Sequence, residues 1–178
     1  MNTPTAALTS QESVVDVAAH LSPLSSGAQG VGAQDRSVRV RSPYRTPQPD
    51  AVVAWNVLSD RHVRWVRRSL RAASRSSHKT RMGAVAASGG RLRAEAANRY
   101  RNHPSATAWV ECSVHAEAAL AGRHSIVGCD VYVARLLKDG QVALAKPCVG
   151  CLRVLVAAGA RRVLWTIDEH HVGVMGLG

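Results

Sequence analysis

Residues 142–167 read VALAKPCVGCLRVLVAAGARRVLWTI. A short apolar run, Val142–Ala145, is halted at Pro147, which cannot sit in a central strand but suits the approach to a helix. From Cys148 to about Ala158 the chain is rich in Val, Leu and Ala and reads as a helix. Gly159 ends it, in the place where a helix favours a left-handed residue. Arg162–Ile167 then resumes as an apolar run of buried-strand length. Strand, helix and strand in succession give the alternation of a layered α/β domain.

The same grammar extends upstream. Val131–Leu137 reads as a buried strand, and Asp139-Gly140 is a hairpin signal that makes Val142–Ala145 its return arm. A helix is expected to start near Ser113, after an irregular stretch from Asn98 to Cys112. Met82–Ser88 is small and apolar. Beyond Gly89-Gly90, Leu92, Ala94 and Ala96 alternate with Arg91, Arg93 and Glu95, a half-buried strand pattern. Asp60 stands as the N-cap of a helix over 61–75. Val63, Val66, Leu70 and Ala73 line one side of it; Arg61, Arg64, Arg67, Arg68, Arg71 and Arg75 line the other. Asp168–Gly178 is Gly-rich and has no clear element, and no internal repeat is visible.

The 178 residues, 46% hydrophobic and 20% charged, suit one soluble globular domain that buries its own core. Residues 1–48, rich in Ser, Pro, Gly, Gln and Ala, read as a disordered tail, with one short helix at Gln11–Leu21 where Thr9 and Glu12 stand at capping-box spacing. The folded domain is expected over 49–178. No apolar run approaches the roughly 18 residues of a membrane span, and no secretory leader pattern is present, so a cytoplasmic protein is expected. Four cysteines in that setting point to metal or catalysis before disulfides.

Net charge is +11 and the pI about 10.7. Twelve basic residues stand against one acid, Glu95, between Arg61 and Arg101. Such a block suits a polyanion partner. The preference for Arg over Lys, the absence of Phe and the abundance of Ala, Val and Gly fit GC-rich coding equally well.

Two segments carry chemistry: His115-Ala116-Glu117 and Pro147-Cys148-Val149-Gly150-Cys151. Cysteines three apart at a helix start point their sulfurs the same way, and helix N-termini favour thiolate, the form that binds metal. One His and two Cys leave the fourth position of a zinc ion open, which is the catalytic arrangement. Glu117, two residues beyond His115, is placed to move protons to and from water.

On these two segments the sequence resembles the zinc-dependent cytidine/deoxycytidylate deaminase superfamily, whose signature is His-x-Glu followed by Pro-Cys-x-x-Cys. The likeness spans residues 60–167. It implies a three-layer cytidine-deaminase-like fold, with a central five-stranded mixed sheet flanked by helices. It implies His115, Cys148 and Cys151 as Zn2+ ligands, Glu117 as the proton shuttle, and the backbone at Ala116 and the side chain of Asn98 as substrate contacts. Relatives assemble as homo-oligomers, and the same is expected here. Two features depart from the pattern. Lys146 precedes Pro-Cys where many relatives have Glu or Ser, and the Asp139-Gly140 hairpin is an insertion whose tip could stand at the rim of the site.

The leading expectation is hydrolytic deamination of a cytosine-type nucleoside or nucleotide, with Arg99 and Arg101 in the Arg99–His103 loop holding a phosphate. A base in RNA or single-stranded DNA, tracked by the Arg61–Arg101 region, is the alternative, as is another amino-heterocycle such as guanine or adenine. A non-catalytic zinc-stabilised binding module is the alternative of another class; Glu117 argues against it, since a structural site needs no shuttle. Cys112 and Cys129 read as buried structural residues, with a second metal site of His103 and Cys112 as the other possibility. His170-His171 read as surface residues. Trp55, Trp65 and Trp165 read as core, and Trp109 alone as a candidate base platform.

Overall fold

The computed structural model describes residues 48–100 and 113–178. The expected helix at Gln11–Leu21, Arg101, His103, Trp109 and Cys112 lie outside the described residues. In chain order the elements are β1 (Ala51–Ala54), α1 (Asp60–Ser74), β2 (Arg81–Ser88), β3 (Arg91–Ala97), β4 (Arg99–Tyr100) and β5 (Ser113–Val114). They continue with α2 (Ala116–Ala121), β6 (Asp130–Leu136), β7 (Val142–Ala143), α3 (Val149–Ala157), β8 (Arg162–Thr166) and β9 (His171–Gly176).

One mixed sheet runs β1-β9-β8-β6-β2-β3, with β7 paired to the end of β6. β6 and β8 are parallel and the remaining pairs antiparallel. A parallel neighbour demands a crossover, and β7 with α3 supplies it. The expected five-stranded centre is β3-β2-β6-β8-β9; β1 extends it at one edge. β4 and β5 form a separate short ladder. No helix among the described residues is long and apolar enough to cross a membrane.

Helices cover both faces, in three layers. Trp65 and Val66 of α1 pack with Val85, Tyr132, Leu164, Val172 and Val174 on one face. Leu120 of α2 and Leu152 and Leu155 of α3 pack with Ala84, Val131, Val133, Val163 and Trp165 on the other. The period-2 alternation of buried strands sends neighbouring residues to opposite layers, so continuous apolar runs serve two cores at once. Two glycines set the spacing. A Cβ on Gly83 would collide with the backbone of α1 at Ser69 and Ala73, and one on Gly173 would enter the Trp165 indole. Trp65 and Trp165 are core residues, as expected, and Trp55 is half-buried.

Turn chemistry behaves as the residues dictate. Gly89 and Gly90 both have positive φ, 58° and 74°, the requirement of the tight turn that matches strand twist. At the end of α3, Gly159 (φ 73°) donates to the Val156 carbonyl at 2.9 Å and Ala160 to the Leu155 carbonyl at 3.1 Å, which satisfies carbonyls the helix leaves open.

Four local expectations shift. Ser59, not Asp60, stands at the N-cap position of α1, with no capping bond from its side chain; Asp60 is the first residue, where a carboxylate meets the positive end of the helix. The second helix starts at Ala116 rather than near Ser113, because Ser113–Val114 pairs with Arg99–Tyr100. In β3 the pairing steps from Ala86↔Ala94 to Ala87↔Leu92, so a bulge at Arg93 puts Leu92 on the face opposite Ala94 and leaves it exposed. The Gly-rich 168–178 stretch contains β9, a strand between β1 and β8.

A polar cluster lies under α1 at the starting ends of β6 and β8. Asp130 accepts from Arg161 through two 2.9 Å bonds and from Arg162 at 2.9 Å. His62 Nδ1 lies 2.7 Å from the Tyr132 hydroxyl, and its Nε2 lies 3.3 Å from Arg162.

Candidate active site

The functional side chains gather at the other end of the sheet, where two helices begin. His115 is the N-cap of α2, with extended backbone, so its ring leaves the helix while Glu117 follows in the first turn. Cys148 is the N-cap of α3, and its Sγ accepts the Cys151 N–H at 3.4 Å. Pro147 holds the approach to it: a residue before proline is kept extended, so Lys146 enters the helix start along one path. The chain is tied to the sheet just before, where Ala145 N–H donates to the Thr166 carbonyl at 2.8 Å.

His115 Nδ1 stands 3.3 Å from Cys151 Sγ and 3.7 Å from Cys148 Sγ, and the three donor atoms lie within 4.8 Å of one another. A tetrahedral zinc with ordinary Zn–N and Zn–S lengths sets its N···S edges at about 3.5 Å. The donors are therefore spaced for one such ion, and the nitrogen-plus-two-sulfur chemistry suits it. Cys148 and His115 are exposed and Cys151 is buried. Burial, and then the neighbouring Glu117, push the Cys151 thiol up.

Glu117 is 1% exposed. Burial raises its carboxyl above the usual carboxylate range, against the opposing pull of its own backbone N–H and His115. Its Oε2 is buried with no hydrogen-bond partner. A carboxyl oxygen without a partner in the interior costs about 1–3 kcal/mol and asks for a function. Glu117 lines a cavity of ≈290 Å³ together with His115 and Cys148.

Asn98 is on the wall of that cavity, and its amide is fixed. Its Oδ1 accepts the Met82 N–H at 2.9 Å and sits 2.6 Å from Ser76 Oγ. Its Nδ2 donates to the Thr80 carbonyl at 2.6 Å, which leaves one N–H of the amide group. Ala116 is fully buried beside Glu117. Arg99 is exposed on β4 and is not part of the cavity wall; Arg101 lies outside the described residues. A second cavity of ≈370 Å³ reaches the same donors from the side of Ala118, Gly150 and Val154. It is the larger, but Glu117 does not line it, so the chemistry belongs to the first.

Sequence reasoning missed part of the wall: His78, Thr80, Met82 and Ser113. No local pattern announces them. Long-range pairing brings them in, as when Asn98 N–H donates to the Met82 carbonyl at 3.0 Å. Elsewhere, His171 pairs with Asp168 at 3.0 Å on the surface, and Cys129 is buried in the core.

A protein-family model described as the cytidine and deoxycytidylate deaminase zinc-binding region matches residues 59–167. Among solved structures, the dCMP deaminase from the cyanophage S-TIM5 in apo form is similar at 15% identity, covering 63% of this chain and 87% of that one, with a TM-score of 0.48. The same phage enzyme in complex with dCMP and dUMP is similar at 14% identity, covering 61% and 82%, with a TM-score of 0.44. No curated protein matches the sequence.

Proposed function

The chain belongs to the cytidine and deoxycytidylate deaminase zinc-binding family, and from that premise we propose that it deaminates a cytosine-type nucleoside or nucleotide to the uracil product with release of ammonia. Membership makes it a zinc-dependent hydrolase. The observation that carries the reading is Glu117: a buried carboxyl with a partnerless oxygen, beside one nitrogen and two sulfur donors, on a cavity wall.

His115, Cys148 and Cys151 would hold the zinc. When bound, the ion would supply Lewis acidity that lowers the pKa of water to roughly 7. Glu117 takes a proton from the attacking water and passes it to the ring nitrogen of the base. It takes the second proton from the added hydroxyl and hands it to the amine. The new C4–O bond replaces the broken C4–N bond, ammonia leaves, and the carboxylate is restored. Glu117 thus acts as base and then as acid, giving back each proton that it takes. The remaining Nδ2 hydrogen of Asn98 and the backbone at Ala116 orient the substrate. The same reading includes homo-oligomeric assembly and a place in nucleotide metabolism, supported by the family resemblance alone.

A specific observation favours a second substrate, a base within a polynucleotide. Arg61, Arg64, Arg67 and Arg71 are exposed along α1, and among the described residues no carboxylate pairs with them. The discriminating experiment is an ammonia-release and mass-shift screen on zinc-loaded protein. Its panel holds cytidine, deoxycytidine, CMP, dCMP, dCTP, adenosine, guanine and a single-stranded oligonucleotide, with Glu117→Ala as control. Turnover of a free cytosine compound upholds the first reading. Turnover of the oligonucleotide alone, falling steeply with salt, replaces it with the second.

A further inference from the structure

Apart from the metal donors and Glu117, Lys146 is the one charged side chain on the cavity wall among the described residues. Its backbone is pinned by Pro147 on one side and by the Ala145–Thr166 bond on the other, so its Cα cannot drift from the metal donors. The side chain is half-buried, and no carboxylate among the described residues pairs with it. An ammonium drawn from water without a counter-ion is unfavourable, so the position is suited to an anion brought by the ligand.

His78 adds an imidazole to the same wall. Its Nδ1 meets both the N–H of Thr80, at 3.1 Å, and the carbonyl oxygen of Thr80, at 3.2 Å, so that edge of the ring is tied to the backbone. The ring is held against Tyr100, with centroids 4.6 Å apart. A point charge beside a held imidazole suits an anion with several acceptor oxygens, whereas a sugar hydroxyl needs no cation. A cavity of ≈290 Å³ is at the small end of ligand sites and fits one small molecule.

We infer that Lys146, assisted by His78, selects the substrate by its phosphate, so that the enzyme's substrate is a cytosine-type nucleoside monophosphate rather than the uncharged nucleoside. The inference rests on the deaminase reading above and names its substrate class.

The test uses the zinc-loaded full chain. Steady-state kinetics on dCMP and deoxycytidine, for wild type, Lys146→Gln, Lys146→Arg and His78→Asn, give the ratio of the two kcat/KM values. Calorimetric binding of dUMP, deoxyuridine and a trinucleotide of thymidine gives a readout without turnover. Wild type should prefer dCMP by about 100-fold, and Lys146→Gln should cut that preference by about 30-fold, chiefly through KM. Lys146→Arg should restore most of it, and His78→Asn should cut it by about threefold. The binding of dUMP relative to deoxyuridine should weaken in parallel. Equal losses on both substrates, no wild-type preference, or tighter binding of the trinucleotide than of dUMP would each overturn the inference. If no free cytosine nucleoside or nucleotide, ribo or deoxy, is turned over, the deaminase reading itself fails; the product-binding comparison still judges Lys146 as an anion contact.

Discussion

The two ends of the sheet both gather buried polar groups, but they treat them differently. Asp130 and Asn98 to Glu117 sit at opposite ends: the first starts β6, while the cavity residue Met82 pairs with Arg135, five residues further along the strand or about 17 Å away. At the Asp130 end the carboxylate is answered by two guanidinium groups, and His62 meets both Tyr132 and Arg162. Among the described residues there, Arg162 Nε alone is left without a partner. At the cavity end Glu117 Oε2 has none, two thiol-bearing side chains crowd a histidine, and no carboxylate among the described residues pairs with Lys146. A satisfied buried network specifies a fold; an unsatisfied one keeps its bonding capacity for a ligand. The contrast separates scaffold from site without reference to sequence motifs.

The sharpest way to test this contrast is to neutralise a carboxylate at each end. Glu117→Gln should lower turnover by about 10³–10⁴-fold, through the lost proton transfers. Zinc content should stay at one per chain and the thermal midpoint unchanged or higher, because a buried carboxyl is replaced by a neutral amide. A midpoint that falls would mean that the site end is scaffold as well. Asp130→Asn should do the reverse. It leaves Arg162, only 6% exposed, without its counter-charge and should cost about 3 kcal/mol in denaturant unfolding, with kcat of the folded fraction little changed.

Gly83→Ala probes the layer that joins the ends. With α1 backbone in the way of a Cβ, the helix must move, at a cost of about 2 kcal/mol in urea unfolding. The displacement should reach Ser76, whose hydroxyl is bonded to Asn98, so KM should rise as well. An unchanged KM would show that the Asn98 wall is insulated from α1.

Glu95 gives the smallest effect. Burial raises its carboxyl, but hydrogen bonds and charge from Arg68 and Arg75 outweigh it and hold the group below the usual carboxylate range. The native state therefore binds this proton less tightly than the unfolded state. Its contribution is full above the unfolded-state value and is lost as pH falls through the lower native one. Both arginines are more than a third exposed, so Glu95→Gln should cost under about 1 kcal/mol at neutral pH. Its unfolding curve should converge with wild type in strong acid. A constant gap at all pH values would assign the loss to packing instead of charge.

What the sequence made legible was local. Cys148, Cys151, His115 and Glu117 declare themselves because a first helical turn converts spacing into direction, and Gly159 and Gly89-Gly90 because positive φ selects glycine. The parts that stayed hidden depend on partners far along the chain. β9 looked like a Gly-rich stretch because Gly173 makes room for Trp165, a requirement visible only once the two strands are paired. The alternation of β3 broke at Arg93, where the bulge reversed the face of Leu92. His78 and Thr80 reach the cavity through the β2–β3 pairing and the Asn98 amide rather than through any pattern of their own. Lys146 was conspicuous as a departure from the family pattern, but its place on the wall came from the fold.

Cys148 Sγ serves two masters: it is a metal donor by position and also the acceptor for the Cys151 amide. A thiolate accepts that N–H more strongly than a thiol does, so whatever keeps the sulfur deprotonated also tightens the first turn of α3. The Cys151 amide is therefore an internal gauge. Its hydrogen–deuterium exchange should slow when the ion is present and quicken when a chelator removes it, reporting occupancy from inside the helix with no substrate added.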